Sequence, residues 1–208
     1  MPKLLHLIAS PRAESHSLRL GRAFLDAYRR IHPDVAVDVL HLFDDEIPEF
    51  RAPEAKAKYA VLAGGKPTGQ AHEAWKAVIE VVDHLKAADV VLISSAMWNF
   101  SIPYRLKQYI DVIVQPGLTF NYSPDEGYTG LLTGKKAVLA LARGGDYGPG
   151  GPENMDYQES YLRAILNFIG ITDIHSVIVQ PTLMGGPDVA EAKVQEALRQ
   201  AEALARRL

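Results

Sequence analysis

The sequence predicts an α/β fold in which a doubly wound parallel sheet of five strands carries helices on both faces. Three observations favour this class. Five short apolar runs are spread along the 208 residues, segments with helical spacing of apolar side chains separate them, and no internal repeat is present. Strands that alternate with helices form parallel sheets, because each helix packs back onto the sheet through a right-handed crossover.

The five apolar runs have the length and composition of buried strands. The first is nearly all Leu, Ile and Ala, interrupted only by His6, as expected for a strand covered on both faces. The third run is the most apolar of the five. The predicted strands span residues 3–9, 35–42, 89–97, 135–142 and 173–181.

Helical spacing of apolar residues predicts a helix after each strand. Gly170 stands where a left-handed C-cap would end the fourth helix, and Pro187 suits the first turn of the last helix. The predicted helices fall within residues 17–31, 71–85, 106–113, 161–169 and 187–208.

The stretch 44–70, rich in proline and small residues, interrupts this alternation. We predict an excursion from the sheet with one short helix around 54–62. Five strands with one helix after each suit the flavodoxin-like strand order 2-1-3-4-5. Ligands of such sheets bind beyond the carboxyl ends of the strands, where the order reverses. The loops after the first, third and fourth strands therefore form the candidate site.

The composition excludes several function classes. The 22 basic and 25 acidic residues give a formal charge of -3, so a nucleic acid is not an expected partner. The lack of cysteine excludes disulfides and thiolate chemistry, and the seven histidines show no metal-ligand spacing, so no metal is predicted. Without a membrane-length apolar run or a signal-peptide pattern, we expect one cytoplasmic domain over residues 1–208 and no membrane partner.

The loop after the first strand has hydroxyl groups where a dinucleotide-binding loop would have glycines. No glycine occurs before Gly21, whereas Ser10, Ser15 and Ser17 surround a helix start, with His16 between the last two. Free N–H groups and the helix dipole favour an anion at such a start, which predicts a seat for one phosphate monoester. The alternative interpretation is that Ser15 or Ser17 only caps the helix.

The loop after the third strand contains an aromatic turn, and the loop after the fourth strand contains a pair of glycines. Residues 97–100 supply backbone N–H groups and aromatic edges that suit a flat heterocycle, and the Gly144-Gly145 pair lets backbone amides approach a ring edge. Alternatively, the aromatic residues of 97–100 only pack beneath the next helix, and the glycine pair only forms a turn. Together with the phosphate seat, these loops meet the requirements of flavin mononucleotide (FMN).

Five segments carry a family resemblance: "SPRAESHS", "AMWNFSIPYRLKQYID", "GLTFNY", "GLLTGKKAVLALARGG" and "LNFIGITD". In this order they resemble the FMN-dependent NADH-azoreductase family, within the flavodoxin-like quinone reductases, over nearly the whole chain. The resemblance implies FMN contacts at Ser10, Ser15, His16, Ser17, Met97, Trp98, Asn99, Phe100, Ala142, Arg143, Gly144 and Gly145.

The resemblance also implies the reaction. NADH or NADPH would deliver hydride to N5 of FMN and leave before a quinone or an aromatic azo compound takes its place, a ping-pong cycle without a catalytic side chain. Members work as homodimers with both active sites at the subunit interface. Phe120 and Tyr122, in the aromatic-rich segment 118–128, are predicted to border the acceptor pocket.

Two other functions fit the predicted fold. A flavodoxin-type FMN electron carrier would dock on protein partners, although such carriers tend to be strongly acidic and the formal charge here is -3. A flavin-free binding module is the third possibility, because a fold alone does not fix a function. A yellow purified protein would exclude this third possibility.

Overall fold

The computed structural model describes residues 1–148 and 152–208 and confirms the predicted fold class. Its strands are β1 (Lys3–Ala9), β2 (Ala36–His41), β3 (Val90–Ala96), β4 (Phe120–Ser123), β5 (Gly127–Gly130), β6 (Lys136–Ala142) and β7 (Asp173–Val179). Five of them form one parallel sheet in the order β2-β1-β3-β6-β7, which is the predicted flavodoxin-like order, and β4 pairs with β5 in a separate antiparallel hairpin.

Helices cover both faces of this sheet. Those in the described residues are α1 (His16–Ile31), α2 (Ala52–Leu62), α3 (Gln70–Ala87), α4 (Tyr104–Ile113), α5 (Glu159–Phe168) and α6 (Pro187–Ala205). Helices α1 and α6 pack on one face, α3, α4 and α5 on the other, and α2, the short helix predicted in the excursion, packs on α3. Among the described residues, no helix combines the length and apolar character needed to cross a membrane.

Strand β1 is buried on both faces, as its apolar run predicts. Leu5 and Leu7 join the core formed with α3 and α4, whereas Leu4 joins the core formed with α1 and α6. Neighbouring side chains of a strand point to opposite faces, so both cores are anchored by one strand. At its carboxyl end Ala9 lies opposite Ser95 of β3, which brings the loops that follow these two strands together.

The hairpin of β4 and β5 lies outside the sequence prediction. Its strands have four residues each, too few for a readable alternation of apolar and polar side chains. Phe120 is buried against Tyr128 and Phe168, with a ring-centroid distance of 4.9 Å to Phe168. A Cβ added to Gly130 would lie 2.2 Å from the backbone nitrogen of Gly170, so the end of β5 docks directly on the end of α5.

A buried polar pair joins β1 to β3 beneath α1. His6 Nε2 lies 2.8 Å from Ser94 Oγ. Gly21 lets α1 approach this pair, because a Cβ at Gly21 would lie 2.1 Å from Ser94 Oγ. Burial, reinforced by His41 and Arg22, lowers the pKa of His6 to about 4. The imidazole is therefore neutral in the folded protein at pH values at which an unfolded histidine is protonated.

One buried cation ties together the ends of β6 and β7 and the start of α5. The Arg143 side chain donates from Nη2 to Asp156 Oδ2 at 2.8 Å and from Nη1 to Gln180 Oε1 at 3.1 Å. Its Nε donates to Gln158 Oε1 at 3.2 Å. Because a guanidinium presents five N–H donors in one plane, it holds three acceptors from two other segments at once.

Gln158 extends this constraint to β3. It is fully buried, and its Nε2 donates to the carbonyl of Ser95 at 3.2 Å. The neighbouring Tyr157 donates its N–H to the carbonyl of Phe100 at 3.0 Å and accepts a hydrogen bond from Ser101 Oγ at 3.2 Å. The loops after β3, β6 and β7 are thus connected. We call this set the Arg143 network: Arg143, Ser95, Asp156, Tyr157, Gln158 and Gln180.

The neutral His6 predicts a loss of stability at low pH. Its folded pKa of about 4 lies below the ordinary value of 6.5, so the unfolded chain takes up the proton first. The free energy of unfolding therefore has its full value above pH 6.5. It falls by about 3 kcal/mol in total as the pH drops towards 4. Urea unfolding measured across this pH range should show the decrease in the free energy of unfolding. The slope of that free energy against pH should be smaller in His6→Gln. An equally steep slope in the variant would contradict the assignment.

Loss of the buried cation should destabilise the fold strongly. Arg143→Met leaves Asp156 and two glutamines without their donor, and we expect the free energy of unfolding to fall by about 3–5 kcal/mol. Arg199→Met is the matched control, because it removes an arginine that is 68% exposed and paired with Glu196. It should cost at most about 1 kcal/mol. Equal losses for the two variants in denaturant unfolding would refute the role of the network.

Candidate active site

A cleft of about 320 Å³ opens at the carboxyl ends of β1, β3 and β6. This volume is within the roughly 300–1,000 Å³ typical of cofactor sites, and strand order reverses at this edge. We call it the switch-point cleft. Four loops supply its lining, which consists of Ser10, Pro11, Arg12, Ser15, His16, Ala96, Met97, Trp98, Ala142, Gly144, Thr182 and Leu183.

The start of α1 borders the cleft and is capped by a serine. Ser15 Oγ accepts a hydrogen bond from the N–H of Leu18 at 3.3 Å and lies 3.4 Å from Ser17 Oγ. Ser15 therefore does cap the helix. The cap leaves the first N–H groups, those of His16 and Ser17, without a partner in the helix, and with the dipole they favour an anion here. Capping and anion binding are compatible at this site.

His16 places a buried ring nitrogen at the cleft. Its Nδ1 has no hydrogen-bond partner among the described residues, although buried polar atoms normally have one. Burial lowers the pKa of His16, and Arg19 and Arg12 lower it further, while Glu191 opposes them. His16 thus brings an imidazole nitrogen without a protein partner to the edge of the cleft.

Two arginines near the start of α1 differ in their surroundings. Arg19 forms an ion pair with Glu191 of α6, with Nη2 3.1 Å from Oε1. The hydrogen bonds from Arg19 and Gln195 lower the pKa of Glu191 to about 2. Arg12, in contrast, lines the cleft, and its N–H donates to Ser10 Oγ at 3.3 Å. Of these two arginines, Arg12 is therefore the one that lines the cleft.

The turn after β3 has a backbone conformation that few residues adopt. Trp98 and Ser101 exchange N–H···O=C bonds of 2.9 Å, and between them Asn99 and Phe100 have φ angles of 47° and 69°. Positive φ at both central residues is the pattern of a type I′ turn, which asparagine tolerates and phenylalanine rarely adopts. Tyr157 holds the turn in this form. The turn's own bonds leave the N–H groups of Asn99 and Phe100 unused.

Trp98 forms an aromatic patch beside the cleft with Phe43 and Tyr104. Ring centroids are 5.6 Å apart for Phe43 with either partner and 6.2 Å apart for Trp98 and Tyr104. Trp98 thus packs against the first residue of α4 and also borders the cleft. Because Trp98 and Tyr104 remain exposed, the patch presents flat apolar faces to a planar ligand.

The loops after β6 and β7 close on each other at the far side of the cleft. The N–H of Leu183 donates to the carbonyl of Gly144 at 3.0 Å, and Thr182 donates to the carbonyl of Arg143 from both its N–H and its hydroxyl. A Cβ on Gly144 would lie 2.8 Å from Leu183 Cδ1, so glycine permits this approach. The exposed Leu183 gives the cleft an apolar edge.

Most of the residues predicted for the cofactor site come together in the structure. Ser17 is buried behind the start of α1, and residues 99–100 and Gly145 belong to the turns beside the cleft. The side chain of Arg143 lies in its buried network, so this residue can contribute to the site only through its backbone. The predicted residues that line the cleft are Ser10, Ser15, His16, Met97, Trp98, Ala142 and Gly144.

Other residues differ in position from the prediction. Phe120 and Tyr122 lie in the β4–β5 hairpin and are not among the described residues that line the cleft, so their place at an acceptor pocket stays a prediction. Thr182 and Leu183 line the cleft without having been predicted, although they follow a strand whose carboxyl end lies at the same edge. In the described parts of the chain, no group of three or more His, Asp or Glu side chains could hold a metal ion.

Comparison with known proteins assigns a family to this fold and cleft. A model of the flavodoxin-like fold family matches residues 2–205. An FMN-dependent NADH:quinone oxidoreductase from Nitratidesulfovibrio vulgaris (strain DP4) is 49% identical to this chain over 209 residues. The alignment covers 99% of this chain and 99% of that protein.

Solved structures agree with this assignment. An azoreductase from Bacillus anthracis str. Sterne has a TM-score of 0.91 and 29% identity, with both chains covered completely. An FMN-dependent NADH-azoreductase from Bacillus anthracis str. Ames Ancestor, in complex with FMN, has a TM-score of 0.88 and 28% identity, with 100% of this chain and 99% of that chain covered. The resemblance predicted from the sequence is confirmed, and the chain belongs to the flavodoxin-like family, among relatives named FMN-dependent NADH:quinone oxidoreductases.

Proposed function

We propose that the chain is an FMN-dependent oxidoreductase that uses NADH to reduce quinones and aromatic azo compounds. The observation that carries this proposal is the switch-point cleft, which is lined by the start of α1 and by His16, whose Nδ1 has no partner among the described residues, and which lies beside a strained turn. The named activities of a relative 49% identical over the whole chain and of azoreductases with the same fold support the same reaction class.

The first half of the cleft fits the phosphate of FMN. His16 Nδ1 and the first N–H groups of α1 supply hydrogen-bonding groups, Ser10 and Ser15 supply hydroxyls, and Arg12 supplies charge. This set accommodates one phosphate group. A pyrophosphate would need a glycine-lined approach, but the first glycine after β1 is Gly21, inside α1. The fit therefore favours FMN over FAD.

The second half of the cleft fits a flat heterocycle. The N–H groups of Asn99 and Phe100 have no partner among the described residues, and with the backbone at Gly144 and Gly145 they would orient the polar edge of the ring. Trp98 would shield one side of the ring from water. FMN, when bound, supplies the redox chemistry by accepting and then donating a hydride. The protein's own task is to bind, orient and desolvate, and no side chain is assigned as nucleophile or general acid.

This reaction can be tested on protein reconstituted with FMN. We expect NADH oxidation to depend on added benzoquinone or methyl red, and the cofactor released on denaturation to have the mass of FMN. A flavodoxin-type carrier, the rival function, would hold the same flavin but would not oxidise NADH without a partner reductase. That outcome would contradict the proposal.

Variants of Asn99 connect the activity to the turn. Proline fixes φ near −65° and cannot adopt the 47° found here, so Asn99→Pro should weaken FMN binding by about ten- to a hundredfold. NADH oxidation should fall with it, while circular dichroism shows an intact sheet. Asn99→Gly is the matched control, because glycine adopts positive φ freely, and it should keep both properties. If Asn99→Pro bound FMN as tightly as the parent protein, the turn would not be part of the FMN site.

We also propose that the protein is a cytoplasmic homodimer. The aromatic patch beside the cleft and the exposed Tyr122 and Tyr128 of the hairpin, 58% and 65% exposed, support a subunit interface, since neighbouring exposed aromatic residues are typical of one.

Light scattering of the FMN-loaded protein should give twice the chain mass of 22.9 kDa. Cell fractionation should recover the protein with cytoplasmic enzymes. A fully active monomer would rule out a shared active site.

A further inference from the structure

Leu183, in the loop after β7, is a large apolar side chain that lines the switch-point cleft and yet is 83% exposed. The next residue, Met184, is 60% exposed but is not among the described residues that line the cleft. Single exposed apolar side chains are ordinary on protein surfaces. The meaning of Leu183 therefore depends on how its backbone is held and on what its side chain touches.

The backbone at Leu183 is fixed to the loop after β6. The carbonyl of Arg143 accepts hydrogen bonds from the N–H of Thr182 at 3.0 Å and from its hydroxyl at 2.9 Å. The carbonyl of Gly144 accepts one from the N–H of Leu183 at 3.0 Å. Because these bonds form within the protein, a ligand of the cleft meets Leu183 without having to order its backbone first.

The Leu183 side chain lies along Gly144. A Cβ built on Gly144 would be 2.8 Å from Cδ1, 3.3 Å from Cγ and 3.7 Å from Cβ of Leu183, and these are the three atoms nearest to it. The apolar side chain thus borders the bare backbone at which the polar edge of a flat ring is proposed to bind. One side of Leu183 is covered by this contact, and the rest remains open to solvent.

The part of the cleft next to Leu183 has a floor of small residues between two large apolar ones. Ala96, Ala142 and Gly144 provide the floor. Trp98 follows β3 and Leu183 follows β7, and β6 lies between these two strands in the sheet. Trp98 and Leu183 therefore border the floor from opposite sides, which suits a flat ring.

The polar lining of the cleft lies away from Leu183. Ser10, Arg12, Ser15 and His16 all follow β1. Strands β1 and β7 are separated by β3 and β6, so their ends are roughly 14 Å apart. A phosphate held by the β1 loop is therefore distant from Leu183, and the ring is the part of the cofactor that its side chain meets.

We propose that Leu183 is a further cofactor-binding residue, which packs against the flavin ring beside Gly144 and keeps water away from it. This inference rests on the proposed function, because FMN is its ligand. The exposed surface of Leu183 becomes covered when FMN binds, so the side chain contributes hydrophobic free energy to binding that it does not contribute to folding.

The affinity for FMN tests this contact in three variants. Leu183→Ser removes the apolar surface and should weaken FMN binding about five- to tenfold in calorimetric titrations. Leu183→Met keeps a side chain of similar size and apolar character and should stay within about twofold of the parent. Met184→Ser is the matched control, since it removes an exposed apolar side chain from the same loop, and it should also stay within about twofold.

Two further measurements separate contact with the ring from a structural effect on the loop. The visible absorption band of bound FMN should lose fine structure in Leu183→Ser, because water reaches the ring. Without added FMN, the variant should unfold at the parental temperature, since its Leu183 is exposed. The rise in that temperature at a given FMN concentration should be smaller than in the parent.

Parental FMN affinity in Leu183→Ser, an equal loss in Met184→Ser, or a parental absorption band in Leu183→Ser would each overturn the inference. A lower unfolding temperature of Leu183→Ser without FMN would do so as well, because it would assign the side chain to the fold. A parent protein that binds no FMN would overturn the proposed function together with this inference. If the parent binds FMN but oxidises no NADH, only the proposed reaction is contradicted.

Discussion

The buried guanidinium of Arg143 is the interaction on which the geometry of the switch-point cleft depends. A charge that is removed from water must be fully hydrogen-bonded, and here its acceptors are Asp156, Gln158 and Gln180. These residues come from the segment before α5 and the end of β7, while Arg143 itself follows β6. The loops cannot shift separately without leaving a buried charge unpaired, so the cost of desolvation fixes their relative positions.

The strained turn at Asn99 and Phe100 is explained by the same constraint. A phenylalanine with φ of 69° is unfavourable by itself and persists only where its surroundings enforce it. Tyr157, next to Gln158 in the network, accepts and donates the bonds that hold the turn. The strain keeps two backbone N–H groups out of local hydrogen bonds. The buried network therefore maintains a turn beside the cleft whose two central N–H groups are not used by the turn itself.

Sequence reasoning succeeds here where structure is set by local patterns and fails where it is set by distant partners. The runs of β1 and β3 are readable because burial on both faces leaves an unbroken apolar segment, and their topology then locates the candidate loops. The chain positions of Arg143 and Gln180 say nothing of their contact, since 37 residues separate them. The hairpin at Phe120 depends likewise on Phe168 and on the close approach of Gly130 to Gly170.

The loop after β2 is positioned by α4 and in turn supports the aromatic patch at the switch-point cleft. Phe43 of this loop packs on both Trp98 and Tyr104. Arg105 donates to the carbonyls of Leu42 and Asp45, on either side of Phe43, and Gln108 donates to the carbonyl of Ile47. The same helix begins with Tyr104, so α4 fixes the patch twice, through its own first residue and through the loop that carries Phe43. The position of Trp98 therefore depends on contacts from two segments that are distant in the chain and that a single helix holds together.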